Sequence, residues 1–164
     1  MNKKLLSLVL SVMMLCLFAA PALATDAVSS ASVADFYGAY ALTGDDLMNA
    51  LNSFSGTYLI STTNPDGTPN CAFFIYSMVK HEGEYYLQLG LADNQSKANL
   101  QANGNGLAVY AANPSGEADA KPYPVAGARI WFSAIEDEAL LAALSANARE
   151  GAMFFQITAI RPLG

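Results

Sequence analysis

The pattern of apolar and polar positions predicts a mainly β chain with a few short helices. From residue 57 onward, apolar runs of strand length are separated by turns rich in Gly, Pro, Asn and Asp. These runs predict six strands at residues 57–62, 71–79, 84–90, 107–112, 128–135 and 152–160. Short antiparallel strands of this kind favour a small β-barrel of the α+β class.

The segments between the strands predict three short helices. The first begins after the capping residue Thr43, and the third covers residues 136–148. The second runs to about residue 103, and glycines follow it. Its start has three candidate caps: Asp93, Asn94 and Ser96.

The predicted strand at residues 71–79 is apolar on both faces. Phe73 and Ile75 alternate with Phe74 and Tyr76. Because a small barrel can bury only one face of a strand inside, the other face predicts a subunit interface. We therefore expect a homodimer.

The N-terminus has the features of a signal peptide at residues 1–24. Lys3 and Lys4 form a basic start, an apolar run follows, and Ala22-Leu23-Ala24 is a small-x-small cleavage signal. The sequence therefore predicts export to a bacterial periplasm, cell surface or medium, with no stable membrane insertion after cleavage. Residues 25–43 predict a flexible arm, and residues 44–164 one folded domain.

The charge and the rarity of Cys and His exclude several classes of function. The net charge of −6 argues against nucleic acid or anionic lipid as a partner, because both require a basic surface. Cys71 is the one cysteine left after cleavage, so no internal disulfide can form. His81 is the single histidine, which argues against a histidine-based metal site, and we predict none.

The chemistry is concentrated where the second helix begins. Ser96 and Lys97 lie in the first turn of this helix. A helix N-terminus supplies free backbone N–H groups and the positive end of the helix dipole, and a lysine adds charge. The pair therefore predicts an anion site; a solvated lysine on a surface helix is the alternative.

The order of these elements resembles the pyridoxamine 5′-phosphate oxidase-like family of FMN-binding split barrels. In that family a Thr-containing strand end, an Asp-Gly-x-Pro turn and a Ser-Lys pair before Asn-Leu follow one another. Here the matching residues are Thr62, Thr63, Asp66, Gly67, Pro69, Ser96, Lys97, Asn99 and Leu100. The resemblance covers nearly all of the predicted mature chain.

The resemblance implies a six-stranded antiparallel Greek-key split β-barrel that binds FMN across a dimer interface. It implies that Ser96 and Lys97 hold the phosphate, and that Thr62 and Thr63 lie near the flavin ring or ribityl chain. It also implies a basic residue near the cofactor on the fifth predicted strand, which is Arg129 here. The aromatic residues of the strands are candidates for stacking on the ring, although strand aromatics are more often core.

Two functions remain open from the sequence. The first is an exported FMN-dependent oxidoreductase acting on an unidentified small-molecule substrate or electron donor. The second is a protein that binds FMN or another planar ligand without turnover, for storage, transfer or sensing.

Overall fold

The structure is a computed structural model that describes residues 38–114 and 125–163. The predicted signal peptide and most of the predicted arm lie outside the described residues. The described end of the arm contains a 3-10 helix, Gly38–Tyr40, and Ala41 forms a parallel bridge with Gly127.

The described residues form three α-helices and seven strands. The helices are α1 (Gly44–Asn52), α2 (Gln95–Asn103) and α3 (Glu138–Ser145). The strands are β1 (Thr57–Thr63), β2 (Pro69–Phe73), β3 (Tyr76–His81), β4 (Glu84–Leu89), β5 (Asn105–Ala111), β6 (Gly127–Ala134) and β7 (Met153–Arg161). Among the helices of these two ranges, none has the length and hydrophobicity to span a bilayer.

The strands form one antiparallel sheet in the order β2-β1-β5-β6-β7-β4-β3. Its two edge strands, β2 and β3, are separated along the chain by Phe74 and Ile75 alone. A two-residue connection can join opposite edges only if the sheet curls until they meet. The predicted antiparallel β-barrel with short helices is therefore confirmed.

The prediction of six strands was wrong by one, because residues 71–79 are not a single strand. The chain leaves its pairing with β1 at Phe73 and begins pairing with β4 at Tyr76. The alternation of apolar residues continues through the break, and no Gly, Pro, Asn or Asp marks it. No local feature of residues 71–79 therefore indicates a change of neighbouring strand.

Helix α1 is attached to the barrel by burial and by one asparagine. Leu47 and Leu51 are fully buried in the core. The Asn52 side chain donates a hydrogen bond to the carbonyl oxygen of Met78 (2.8 Å) and accepts one from its N–H (3.0 Å). Thr43 is the N-cap as predicted, but its side chain makes no capping hydrogen bond.

Three tyrosines pack against one another in the core. The Tyr58 ring lies 5.3 Å from that of Tyr76 and 5.0 Å from that of Tyr110. The hydroxyls of Tyr58 and Tyr110 donate to backbone carbonyls of Leu51 and Ser55, at 2.7 and 2.8 Å. The Tyr76 hydroxyl is buried with no partner in the described part of the chain, and burial raises its pKa.

Candidate functional site

Helix α2 begins at the position that the candidate caps indicated. Asn94 is the N-cap: its side-chain oxygen accepts the N–H of Lys97 at 3.0 Å. Gly104 ends the helix in the left-handed conformation (φ +68°). Because Asn94 is the cap, Ser96 lies inside the first turn, where its side chain can face the barrel.

The first turn of α2 is held against the β1–β2 hairpin by hydrogen-bonded polar side chains, which we call the asparagine network. Its members are Thr62, Asn64, Asn70, Gln95, Ser96 and Asn99. The amide of Asn70 donates to the hydroxyls of Thr62 (3.1 Å) and Ser96 (2.8 Å). The amide of Asn99 donates to the Thr62 hydroxyl (3.0 Å) and to the Asn64 side chain (2.9 Å).

Apart from the tyrosines of the core, the network contains all the buried polar side chains among the described residues. Thr62, Ser96 and Asn99 are only 4%, 2% and 2% exposed. Burying such groups is unfavourable unless each finds a hydrogen-bond partner, and here each does. The network therefore fixes the position of the α2 N-terminus relative to the end of β1.

Lys97 lies beside the network and is paired with a carboxylate. Its ammonium nitrogen lies 2.7 Å from Oδ1 of Asp93, one helical turn earlier. The Lys97 side chain is 25% exposed and that of Asp93 is 96% exposed. The hydrogen bond from Lys97, followed by its charge, holds the pKa of Asp93 below its usual range.

The first turn of α2 also offers backbone donors. The N–H groups of Lys97 and Ala98 are taken by the side chain and carbonyl of Asn94. Those of Gln95 and Ser96 have no acceptor among the residues described here. Two unpaired N–H groups beside a lysine form the arrangement that an anion needs.

Two cavities border this region. One of about 340 Å³ is lined by Asn64, Pro65, Asp66 and Gln95, at the start of α2. The other, of about 360 Å³, is lined by the end of β1, including Thr62 and Thr63, and by Trp131 and Phe132 of β6. The network and the second cavity therefore share the end of β1.

The turn residues have a structural role. Asp66 accepts hydrogen bonds from the N–H (3.0 Å) and the hydroxyl (2.6 Å) of Thr68, and Gly67 has φ +83°. These bonds close the β1–β2 turn, and the hydroxyl of Thr68 lowers the pKa of Asp66.

Arg129 lies apart from the network, on β6. Its Nε donates to the carbonyl oxygen of Pro162 at 2.6 Å. Its guanidinium and that of Arg161 each lie 5.7 Å from the centre of the Trp131 ring. Of the sequence-predicted residues, the structure thus brings Thr62, Thr63, Ser96 and Lys97 to one region. Arg129 is linked to that region through Trp131.

Sequence comparison adds nothing to this description. No family model matches the sequence, and no curated protein matches it.

Comparison with solved structures shows the fold. An FMN-binding protein from Syntrophomonas wolfei matches with a TM-score of 0.51 at 14% identity, over 73% of this chain and 85% of its own. An F420 reductase matches with a TM-score of 0.46 at 16% identity, over 73% and 97%. HutZ, the heme storage protein from Vibrio cholerae, matches with a TM-score of 0.39 at 13% identity, over 70% and 90%.

The FMN-binding protein from Syntrophomonas wolfei shares the fold of this chain, which confirms the resemblance predicted from the sequence at the level of fold. At 14% identity the likeness is one of fold. What the chain binds depends on its own site residues.

Proposed function

We propose that this chain is an FMN-binding protein that holds the FMN phosphate at the N-terminus of α2. The observation that carries the proposal is the asparagine network, which fixes Ser96 and the first turn of α2 against β1. A phosphate there would meet the N–H groups of Gln95 and Ser96, the helix dipole and the Lys97 ammonium.

The Asp93–Lys97 pair is compatible with a phosphate site. Asp93 is almost fully exposed, so its carboxylate loses little when Lys97 turns to another anion. A phosphate dianion offers Lys97 more charge than one carboxylate does. Lys97 therefore has a resting partner that a phosphate can replace.

The cavity beside Thr62 and Thr63 offers a place for the planar part of the ligand. Trp131 contributes an aromatic surface, and Ser61, Asn105 and Ser133 contribute polar groups. Flavin rings are bound in this way, by aromatic contact with a few hydrogen bonds at their edges.

We extend the proposal to an exported flavin-dependent oxidoreductase. Bound FMN would supply the electron transfer, and the chain would supply anchoring of the phosphate and access for a small-molecule substrate or electron donor. The predicted signal sequence at residues 1–24 supports the export.

One observation favours the second candidate, a flavin-binding protein without turnover. None of the described residues that line the cavity beside Thr62 is titratable. A site without an acid or base suits the storage, transfer or sensing of a flavin as well as it suits catalysis.

The visible spectrum of the purified mature protein tests the proposal. We expect flavin bands, or their appearance on titration with FMN, and weaker binding of riboflavin, which lacks the phosphate. Bleaching by a nicotinamide cofactor or another reductant would support the oxidoreductase, and bound FMN that no donor reduces would support the second candidate. A protein that takes up neither ligand would contradict both.

The proposal includes a homodimer formed through the exposed side of β2 and the residues that follow it. Phe73 and Ile75 are 74% and 63% exposed, and they point away from the core beside the sheet edge. Adjacent exposed apolar side chains of this size mark interaction surfaces.

Replacing Phe73 with glutamate is expected to weaken the dimer, because a charge would replace an aromatic ring in the interface. Light scattering across a dilution series measures the effect. Leu141→Glu is the matched control, since Leu141 is 37% exposed on a different element, α3. A wild type that is monomeric at high micromolar concentration, or equal effects of the two variants, would contradict the proposal.

A further inference from the structure

The hydrogen bonds of the asparagine network run in one direction, and the Asp66 carboxylate sets that direction. An ionised carboxylate can only accept hydrogen bonds, so the Thr68 hydroxyl donates its one proton to Asp66 at 2.6 Å. The Thr68 oxygen must then accept from the Asn64 amide nitrogen, 3.1 Å away. The Asn64 side-chain oxygen is left facing Asn99, whose amide nitrogen lies 2.9 Å from it. The orientation of both amides therefore follows from a carboxylate in the β1–β2 turn.

Asn99 and a second asparagine both donate to Thr62. The Asn99 amide nitrogen lies 3.0 Å from the Thr62 hydroxyl oxygen, and the Asn99 oxygen accepts from Gln95. The Asn70 amide nitrogen donates to the same hydroxyl at 3.1 Å and to that of Ser96 at 2.8 Å. Both lone pairs of the Thr62 hydroxyl are thus occupied, and Ser96 accepts one bond. Each of the two hydroxyls still has its proton to donate.

These two hydroxyl protons have no acceptor among the described residues. Thr62 and Ser96 are both buried, and a buried donor without an acceptor is unfavourable. Both hydroxyl oxygens lie within hydrogen-bond distance of one nitrogen, that of Asn70, so they are neighbours. The described part of the chain therefore leaves two adjacent donors for a ligand group that only accepts.

We propose that Asn70 is a positioning residue that presents the Thr62 and Ser96 hydroxyls as hydrogen-bond donors to the phosphate of the bound flavin. A phosphate dianion has only acceptor oxygens, so it matches two hydroxyls that can only donate. Asn70 acts through these hydroxyls, because they take both of its amide N–H groups. The inference rests on the proposed function and adds the residue that makes the site selective for a fully ionised phosphate.

Asn70→Ala is expected to weaken FMN binding by about tenfold, because both hydroxyls can then turn to other partners. Riboflavin affinity is expected to stay nearly unchanged, since riboflavin has no phosphate. Asn52→Ala is the matched control: Asn52 also makes two hydrogen bonds, both to the backbone of Met78, but it lies on α1 and outside the network. This control is expected to bind FMN as the wild type does. Titrations followed by flavin fluorescence measure these affinities.

The pH dependence of FMN affinity separates positioning from a purely structural role. A phosphate monoester takes up a proton near pH 6, and hydroxyls that can only donate offer no acceptor to the resulting P–OH group. The wild type is therefore expected to lose about tenfold in FMN affinity between about pH 7.5 and 5. In Asn70→Ala the Ser96 hydroxyl can turn and accept that hydrogen, so the loss is expected to be smaller. A flat wild-type profile would contradict the proposal without any variant.

The carboxylates of the site do not titrate over this range. Hydrogen bonds from Thr68 and Lys97 lower the pKa of Asp66 and of Asp93, respectively, so both stay charged. His81 lies at the end of β3, a strand that contributes no residue to the network. His81→Gln is therefore expected to keep the wild-type pH profile.

A double-mutant cycle with Ser96→Ala tests whether Asn70 acts through the Ser96 hydroxyl. The double variant is expected to lose less FMN affinity than the two single losses combined. Additive losses, equal losses for FMN and riboflavin, or parallel pH profiles of wild type and Asn70→Ala would each assign Asn70 a structural role only. If the wild type binds FMN and Asn70→Ala binds it equally well, this inference fails and the proposed function stands. A wild type that takes up no FMN overturns both.

Discussion

Replacing Asn99 with alanine is expected to lower the free energy of unfolding by roughly 2–4 kcal/mol. The Asn99 side chain donates to Thr62 and Asn64 and accepts from Gln95 at 2.7 Å, and it is 2% exposed. Its removal deprives the buried Thr62 hydroxyl of one hydrogen bond and also leaves the half-buried Asn64 and the exposed Gln95 without this partner. Urea unfolding followed by circular dichroism measures the change.

Asn103→Ala is the matched control for this prediction. Asn103 lies one turn later on the same helix, is exposed, and donates a single hydrogen bond to the carbonyl oxygen of Thr63 at 2.9 Å. We expect a loss of about 1 kcal/mol or less for this variant. Equal losses for the two variants would show that the network adds nothing beyond ordinary helix hydrogen bonds.

The turns of the fold could be predicted because their residues are chemically specific. The β1–β2 turn contains Pro, Asp and Gly, and Asp66 accepts the bonds that such turns need. The β3–β4 turn was predicted at residues 81–84, and its two central residues, Glu82 and Gly83, have φ +51° and +91°. Positive φ at both central positions is typical of a two-residue hairpin turn, and glycine favours this conformation.

The break between β2 and β3 could not be predicted in the same way. Phe74 and Ile75 are good strand residues, and the chain changes its neighbour there rather than its local conformation. Which strands pair depends on closure of the whole sheet. A pattern of period two carries no information about that closure.

In the candidate site, too, some features follow from the local sequence and others depend on how the elements pack. The start of α2 is encoded locally by Asn94, so Ser96 and Lys97 could be placed in its first turn. The role of Asn70 could not, because its contact with Ser96 depends on how α2 packs on the hairpin. The contact of Asn70 with Thr62 follows from strand register, which pairs these two residues across β1 and β2. The turn length sets this register.

The arginines at the Trp131 ring could be predicted only in part. Arg129 and Trp131 are two residues apart on one strand, so a shared face could be expected. The second arginine at the same ring, Arg161, comes from β7, which pairs with β6 across a register shift between Trp131 and Phe132. Nothing in the local sequence of β7 indicates that partner.

Lys97→Ala is expected to weaken FMN binding by about tenfold to a hundredfold, the effect of losing one charge-assisted hydrogen bond to a phosphate. Riboflavin has no phosphate, so its affinity is expected to be nearly the same for wild type and variant. Titrations followed by flavin fluorescence measure both ligands. Circular dichroism of the unliganded variant checks that its fold is intact. Unchanged FMN affinity would contradict the phosphate role and support the alternative, in which Lys97 is a solvated lysine on a surface helix.

Asp93→Asn provides the matched change in the opposite direction. The Asp93 carboxylate is charged at neutral pH, Lys97 lowers its pKa further, and its Oδ1 lies 2.7 Å from the Lys97 ammonium nitrogen. Asparagine removes the competition of the Asp93 carboxylate for Lys97. FMN binding is therefore expected to tighten severalfold, with riboflavin again unaffected. In the double variant the gain is expected to disappear, since Asp93 competes through Lys97; a gain that persists without Lys97 would show that Asp93 acts on the ligand by long-range repulsion alone.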